Sequence, residues 1–430
     1  MSITGSLFLI FFVIILLGVP IGYSVGITSL FAKVLQPSLM VTPEFVFRNM
    51  VTGLDVYSLL AVPLFILSGI IMARGGISKR LFDFFAFFFG DATAGLPIAT
   101  IATCLFYGAI SGSGPATVAA VGAMCIPLLA DVGYDRTWAT SLIAVSGGLG
   151  VIIPPSIPFI MYGLATGTSV GSLFTAGILP GLLIGVIIMA YSYFHCKRKG
   201  EDKVRLRANA TEIRSRGLWR NFKDAFWALL SPVIILGGIY GGVVTPTEAA
   251  CVSVVYALFV SLCIYKTVKL RDLLGIWTES NKTIAPIMLI VGTATVFGRV
   301  LTYTHAPQVI AEMVTSTFHS KVAVLLIINL FLLFVGCVMD TTPAILILAP
   351  ILLPIVQQFG MNPVHFGVMM AVNLAIGFAT PPIGINLFVA SGMTKIPVLE
   401  IAKHALPFVL CFLVALMLIT FIPAISLALI

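Results

Sequence analysis

The chain has 430 residues, of which 59% are hydrophobic and 9% are charged, and its mean hydropathy is +1.12. Soluble domains carry about 25% charged residues, so this composition excludes a soluble globular protein and predicts an integral membrane protein. Repeated apolar runs of about 20 residues indicate membrane-spanning α-helices rather than the alternating strands of a barrel. The formal net charge is +8, and ten of the 24 basic residues lie between His195 and Asp224.

The N-terminal segment, MSITGSLFLIFFVIILLGVPIG, has no basic residue ahead of its apolar run. A secretory signal starts with such a basic region, so the segment is predicted to be retained as the first membrane helix. The crossings predicted for the first half of the chain are 3–19, 20–36, 54–73, 137–165 and 176–195.

The apolar segment from about 95 to 130 is interrupted by SGSGPAT, residues 111–117. Glycine permits a sharp turn and proline begins a helix, so this segment is predicted to form two short helices joined at a tip. Unwound backbone inside a membrane is tolerated only where it is buried in protein or lines a wet cavity. The segment is therefore predicted to be a re-entrant hairpin that presents the hydroxyls of Ser111, Ser113 and Thr117 to a substrate.

The next crossing, 137–165, contains the Pro154–Pro155 step, which must break its helix. Carbonyl groups freed by the break, together with the first tip, are predicted to bind one monovalent cation. The residues proposed for this first Na⁺ site are Ser113, Gly148, Val151 and Pro154. Glycine and proline are common in membrane helices, so a packing kink without a ligand is the alternative.

A basic segment, residues 196–226, follows near the middle of the chain. We favour a cytoplasmic linker that obeys the positive-inside bias over a nucleic-acid-binding patch. The linker separates residues 1–195 from 227–430, and these two halves share a repeated pattern. At an offset of 227 positions, five turn residues of the first half recur in the second half: Pro127, Gly133, Pro154, Pro155 and Pro180 become Pro354, Gly360, Pro381, Pro382 and Pro407.

Basic loops alternate between the two copies, as two copies of opposite membrane orientation would show. An odd number of crossings in each copy then predicts that both chain termini are periplasmic. The elements predicted for the second copy are crossings at 227–245, 248–265, 283–301 and 405–425, a re-entrant hairpin at about 323–358 and a broken helix at about 364–392.

The tip of the second hairpin is MDTTPA, in which Asp340, Thr341 and Thr342 are predicted to bind substrate. An acidic residue at the centre of a membrane helix costs about 2.5–3.5 kcal/mol on insertion scales, so Asp340 needs a cation or a wet cavity. The residues proposed for a second Na⁺ site are Asp340, Ala375, Phe378 and Thr380. Asn386, just after the second Pro-Pro break, is a further candidate for substrate binding.

Arg299 stands alone near the end of an apolar run. A guanidinium is a bidentate partner for a carboxylate, so Arg299 is a candidate to bind the acid group of an organic anion. A side chain that extends to the membrane interface is the equally weighted alternative. The chain has no GxxxxGK[ST] pattern, which leaves an ATP-driven pump without support. An intramembrane hydrolase with Ser113 as nucleophile would need a base, and nothing orients the candidate His365, so an enzyme is not expected.

The stretches GVVTPTEAA, SGSGPAT, GVIIPPSIPFIMYG and ATPPIGINLFVASG resemble the large membrane subunit of TRAP transporters, the DctM-like family. The resemblance implies an elevator-type secondary transporter of the ion transporter superfamily in a bacterial inner membrane. It implies Na⁺-driven import of an organic acid, of the sialic acid or C4-dicarboxylate class, without an organic cofactor.

The resemblance also implies two protein partners: a separate four-helix membrane subunit and a periplasmic substrate-binding protein. The hairpins and broken helices would form the moving domain, and the helices of about 1–73 and 227–301 would form the scaffold. The alternative is an organic anion exchanger or channel that needs no binding protein.

Overall fold

The computed structural model describes residues 3–318 and 320–430. Residues 1, 2 and 319, which belong to the predicted halves 1–195 and 227–430, lie outside these ranges. The first eleven α-helices are α1 (Ile3–Leu16), α2 (Ile21–Leu35), α3 (Pro43–Leu54), α4 (Ala61–Arg74), α5 (Ile77–Phe89), α6 (Gly95–Ser111), α7 (Gly114–Asp131), α8 (Arg136–Ser146), α9 (Ile157–Thr166), α10 (Val170–Lys199) and α11 (Lys203–Ser215).

The remaining α-helices are α12 (Leu218–Tyr240), α13 (Pro246–Phe259), α14 (Leu273–Tyr303), α15 (Ala306–Thr317), α16 (Lys321–Val338), α17 (Thr341–Gln358), α18 (Pro363–Gly377), α19 (Ile385–Thr394), α20 (Val398–Phe421) and α21 (Ala424–Leu427). Short 3-10 turns lie at Tyr57–Leu60, Gly147–Val151 and Leu270–Asp272, and a π turn lies at Val260–Ile264. Within the described residues, nine helical segments are long and apolar enough to cross a membrane. The predicted all-α polytopic fold is confirmed.

Helix bounds in the two halves repeat at the same offset as the prolines. α7 begins at Gly114 and α17 begins at Thr341, 227 positions later, and both helices have 18 residues. α6 and α16, α8 and α18, and α9 and α19 begin within one residue of the same offset. Part of the repeated set marks helix ends: Gly133 and Gly360 have positive φ just beyond α7 and α17, and the two Pro-Pro steps lie in the breaks. The other repeated prolines lie inside helices at corresponding places: Pro127, Pro180, Pro354 and Pro407. The opposite membrane orientation of the two copies stays a prediction.

α14 is longer than the crossing predicted at 283–301, because it begins at Leu273 and continues to Tyr303. By the repeat offset, its two ends correspond to α3 and α4 of the first copy. One continuous helix in the second copy therefore takes the place of two helices in the first.

The segment predicted as a basic loop, 196–226, is mostly helical. α10 runs on to Lys199, α11 fills the centre and α12 begins at Leu218. Asp202 caps α11, because its carboxylate accepts hydrogen bonds from the backbone N–H groups of Val204 and Arg205. Leu206, Ala210 and Ile213 form a buried stripe at helical spacing, a signal that the high charge of the segment hides.

One ion pair fastens α11 to the turn between α5 and α6. The Arg214 guanidinium forms two hydrogen bonds, of 2.8 and 2.7 Å, with the two carboxylate oxygens of Asp91. The Arg214 side chain holds the pKa of Asp91 below its usual value of 3.8. A carboxylate with a lowered pKa stabilises the fold at neutral pH, and this contribution is lost as the pH falls through the lowered pKa.

We therefore expect Asp91→Asn to lower the midpoint of thermal unfolding slightly at pH 7. The loss corresponds to less than about 1 kcal/mol, because both partners are largely exposed to solvent. The gap between wild type and variant should close as the pH falls below 3.8. Unfolding curves in detergent at a series of pH values measure it, and a gap of constant size down to low pH would contradict the assignment.

The helices pack in two groups. α1–α4 pack with α12–α14, and α6–α9 pack with α16–α20. Ser68 of α4 and Ser253 of α13 approach to 2.5 Å between their hydroxyl oxygens inside the first group. The two groups meet mainly where α4 contacts α6 and where α14 contacts α17. Which group moves during function stays a prediction.

Candidate functional site

The first tip lies between α6 and α7. Gly112 has a φ of +60°, and a side chain there would come within 2.9 Å of the carbonyl oxygen of Pro155. Only glycine fits both demands without strain. The Ser111 hydroxyl lies 3.1 Å from the Thr117 hydroxyl, which donates to the carbonyl oxygen of Ser113 over 2.8 Å. The hydroxyl groups of this tip therefore form one connected cluster.

The second tip lies between α16 and α17 and is capped by its own acidic residue. The Asp340 carboxylate accepts a hydrogen bond of 2.6 Å from the backbone N–H of Thr341 and one of 3.2 Å from the Thr341 hydroxyl. A carboxylate is favoured at this end of a helix by the free N–H groups and the helix dipole. Asp340 thus has local hydrogen-bond partners and still faces the space between the tips.

The two breaks lie against the tips and against each other. Gly148, in the first break, is so close to the second that a side chain on it would lie 3.3 Å from the carbonyl oxygen of Ala375. A side chain added to Gly114, at the first tip, would likewise lie 3.1 Å from the ring of Phe378. The second tip is tied to its own break, because the backbone N–H of Ile383 donates to the Cys337 carbonyl over 3.2 Å. The four interruptions therefore meet in one region.

A cavity of about 650 Å³, which we call the central cavity, opens beside this region. Seven of the predicted site residues line it: Ser111, Ser113, Val151, Asp340, Thr341, Thr342 and Phe378. Of these seven, Val151 and Phe378 come from the two breaks, one from each. Hydroxyls and a few charged side chains among mostly apolar lining residues are the composition of a ligand site with a few orienting polar groups.

Two charged residues of the central cavity are not predicted from the sequence. Arg74 at the end of α4 and Glu279 of α14 both line it, and their nearest charged atoms are 2.6 Å apart. Each residue sits next to an apolar run and looks like an interfacial charge. Their pairing depends on the packing of α4 on α14, which no local pattern indicates.

The remaining predicted ligands lie behind the wall. Thr117 is one turn behind the first tip, and Gly148, Pro154, Ala375 and Thr380 belong to the breaks without lining the cavity. Asn386 is fully buried and donates to the carbonyl oxygen of Ala144 over 2.9 Å. Within the described part of the chain, its own amide oxygen and the nearby Ser146 hydroxyl have no hydrogen-bond partner.

Arg299 is not brought to the central cavity. Its guanidinium donates to the amide oxygen of Asn49 on α3. It lines a second, smaller cavity of about 220 Å³, which we call the Arg299 pocket. Arg299 therefore lies apart from the two tips in this arrangement, and its role as a ligand for an acid group stays a prediction.

Paired interrupted helices that meet at a polar cavity inside a multi-pass helical membrane protein are the design of a secondary transporter. Residues 8–425 match the family model described as "Tripartite ATP-independent periplasmic transporter, DctM component". The chain belongs to this family and is a large permease subunit of a bacterial TRAP transporter.

Curated relatives agree with this assignment. The C4-dicarboxylate TRAP transporter large permease protein DctM of Pseudomonas aeruginosa is 43% identical over 373 residues, which cover 87% of this chain and 86% of that protein. The sialic acid TRAP transporter large permease protein SiaM of Vibrio cholerae is 37% identical over 428 residues, covering 100% and 97%. The isethionate TRAP transporter permease protein DctMQ of Oleidesulfovibrio alaskensis is 41% identical over 420 residues, covering 97% of this chain and 65% of that longer protein.

A solved structure shares the fold at much lower sequence identity. The crystal structure of the YdaH transporter of Alcanivorax borkumensis superposes with a TM-score of 0.62 and 13% identity, covering 88% of this chain and 87% of that one. At this identity the likeness concerns the fold alone.

Proposed function

We propose that this chain is the permease subunit of a Na⁺-coupled transporter that imports an organic acid. In this proposal a periplasmic binding protein delivers the acid, and a separate four-helix membrane subunit completes the transporter. The hairpins and broken helices carry the substrate across by an elevator movement against the scaffold. Membership in the DctM family supports the tripartite assembly.

The charge of the central cavity is the observation that carries the proposed coupling. Its charged lining residues are Arg74, Glu279 and Asp340, which sum to one negative charge. An organic acid would add at least one more negative charge at low dielectric, where repulsion between like charges is strong. Cations that enter with the acid remove this repulsion, so a cation-coupled importer suits the site better than an uncoupled one.

Oxygen atoms around the tips suit Na⁺ as that cation. Carbonyl, hydroxyl and carboxylate oxygens are the ligands that hard cations prefer. We propose one Na⁺ at Ser113, Gly148, Val151 and Pro154, and one at Asp340, Ala375, Phe378 and Thr380. Ser146 and Asn386, beside the first break, have buried oxygens without a hydrogen-bond partner among the described residues. A cation bound there would supply a partner for these oxygens, which supports the proposed site.

The substrate class follows from the relatives and the cavity. The names of the relatives cite C4-dicarboxylate, sialic acid and isethionate, all of which are organic anions. A cavity of about 650 Å³ lies within the usual range for small-molecule sites. We propose an acid of this class, with a preference for a hydroxylated acid such as sialic acid because the tips carry several hydroxyls.

The distribution of basic residues supports a direction for the cavity. Arg74 and Glu279 lie next to the loop of residues 265–272, since the Thr267 hydroxyl donates to the carbonyl of Gly75 over 3.1 Å. That loop, α5 and α11 are rich in lysine and arginine, which favours the cytoplasmic side. We therefore propose that the structure is inward-facing in a bacterial inner membrane, with residues 196–226 cytoplasmic and both termini periplasmic.

Uptake by proteoliposomes that contain both membrane subunits tests the proposal. Labelled C4-dicarboxylates and sialic acid would be presented with their binding proteins, with Na⁺ outside or with K⁺ in its place. We expect saturable uptake that requires both Na⁺ and the binding protein. Equal uptake in K⁺, or counterflow without a binding protein, would instead support the exchanger or channel.

A further inference from the structure

The Arg299 pocket and the central cavity are bordered by the same two helices. Thr341 and Thr342 of α17 line the central cavity, and Leu346 and Pro350 of the same helix line the Arg299 pocket. At the repeat offset of 227, these last two residues correspond to Ala119 and Ala123 of α7, which line the central cavity. The two cavities therefore occupy equivalent places in the two copies.

α14 presents one ridge to both cavities. Glu279, Thr283 and Ile287 line the central cavity. Val291, Thr295 and Arg299 continue the same four-residue spacing and line the Arg299 pocket. Residues four apart form a ridge that winds slowly around a helix, so the two cavities follow each other along this ridge.

The charged ends of the ridge are far apart. Glu279 and Arg299 are separated by 20 positions, which is about 30 Å of α-helix. This length equals the hydrocarbon thickness of a bilayer. Because α14 is one continuous helix, Glu279 with its partner Arg74 and Arg299 with its partner Asn49 lie toward opposite faces of the membrane.

The Arg299 guanidinium has hydrogen-bond donors available for an acid group. Its guanidinium has five N–H donors, and the described structure uses one nitrogen, in the bond to Asn49. Among the described residues, no carboxylate lies within ion-pair distance of Arg299. The nearby hydroxyls of Thr295 and Thr302 donate to carbonyls of their own helix, so the guanidinium is the donor left for a ligand.

We propose that the Arg299 pocket is the first binding position for the acid group of the substrate, on the face opposite the central cavity. The ridge of α14 then forms one wall of the route between the two positions. At about 220 Å³ the pocket holds the acid end of a substrate rather than a whole sugar acid. This inference rests on the proposed uptake of an organic acid and adds a second site to it.

Thiol labelling tests the placement without any transport. Arg299→Cys and Glu279→Cys would be made in a background in which Cys251, Cys263 and Cys411 are replaced by serine, since these three are the least buried native thiols. A membrane-impermeant maleimide should label Arg299→Cys in right-side-out spheroplasts and Glu279→Cys in inside-out vesicles. Labelling of both from the same side would overturn the inference, whether or not the protein transports an acid.

Uptake kinetics test the role of the guanidinium. At sub-saturating loaded binding protein, Arg299→Gln should lower the uptake rate about tenfold, because a lost charge-assisted hydrogen bond costs affinity of this order. The maximal rate should change less. Arg299→Lys should recover part of the loss, since lysine keeps the charge without the planar fork.

Arg48→Gln is the matched control, because Arg48 is an exposed arginine on α3 that lines neither cavity. It should transport at the wild-type rate. Wild-type rates for Arg299→Gln would overturn the proposed role of the guanidinium. An equal loss in Arg299→Lys and Arg299→Gln with a lowered unfolding midpoint would assign Arg299 a structural role only. Absence of wild-type uptake in the same vesicles would refute the proposed function, and the labelling result would stand separately.

Discussion

Asp340→Asn is expected to reduce Na⁺-dependent uptake by at least about tenfold, equivalent to about 1.4 kcal/mol of lost binding free energy. Asp340 is the one carboxylate at either tip, and it lines the central cavity. Replacing it removes the negative charge that a coupled cation would neutralise. Asparagine remains a good helix cap, so α17 should still begin at its present position.

The measurement is the Na⁺ concentration that gives half-maximal uptake in proteoliposomes with both membrane subunits and the binding protein. It should rise strongly in Asp340→Asn, and the maximal rate should fall. The matched control is Asp135→Asn. Asp135 also caps a helix, by accepting from the backbone N–H of Trp138 over 2.7 Å, and it lies outside the central cavity.

An Asp340→Asn variant with wild-type Na⁺ dependence would remove Asp340 from the cation site. If both variants lost uptake equally, the effect would belong to helix capping. The expected result is a loss in Asp340→Asn alone, with the same thermal unfolding midpoint in both variants.

The sequence indicates the tips and breaks because their signals are local. SGSGPAT and MDTTPA combine turn-forming and helix-starting residues, and the structure ends α6 and begins α7 and α17 within them. The Pro-Pro steps break two helices at corresponding places for the same reason. Seven of the predicted ligands consequently line one cavity.

Contacts between distant helices are what the sequence does not indicate. Arg74 and Glu279 pair across 205 positions of sequence, and each alone looks like an interfacial charge. Arg299 stands in an apolar context similar to that of Asp340, and this context does not show which cavity it lines. The contact of Arg299 with Asn49 depends on how α14 packs against α3. As a result of this packing, Arg299 lines a different cavity from Asp340.

The crossing of α16 and α18 depends on two glycines. Gly377 ends α18 against the backbone of Gly336 in α16, and a side chain on Gly377 would overlap that backbone. A side chain on Gly336 would in turn lie 3.1 Å from the carbonyl oxygen of Leu374. Because the obstacle is main chain rather than a flexible side chain, an added methyl group can be accepted only if the helices separate.

Gly377→Ala is therefore expected to destabilise the protein by about 1–3 kcal/mol, the usual cost of overpacking. Separation of these helices would also displace the second tip from its break, so uptake should fall with stability. The midpoint of thermal unfolding in detergent and the uptake rate measure the two effects.

Gly392→Ala is the matched control for this change. Gly392 lies in α19, close in sequence to the same break, and a side chain on it would meet no atom within 4 Å. Alanine also favours helix over glycine, so this variant should be as stable as wild type or slightly more stable. A Gly377→Ala protein with an unchanged midpoint would mean that α16 and α18 are farther apart than described. The second tip could then not be fixed against its break by this crossing.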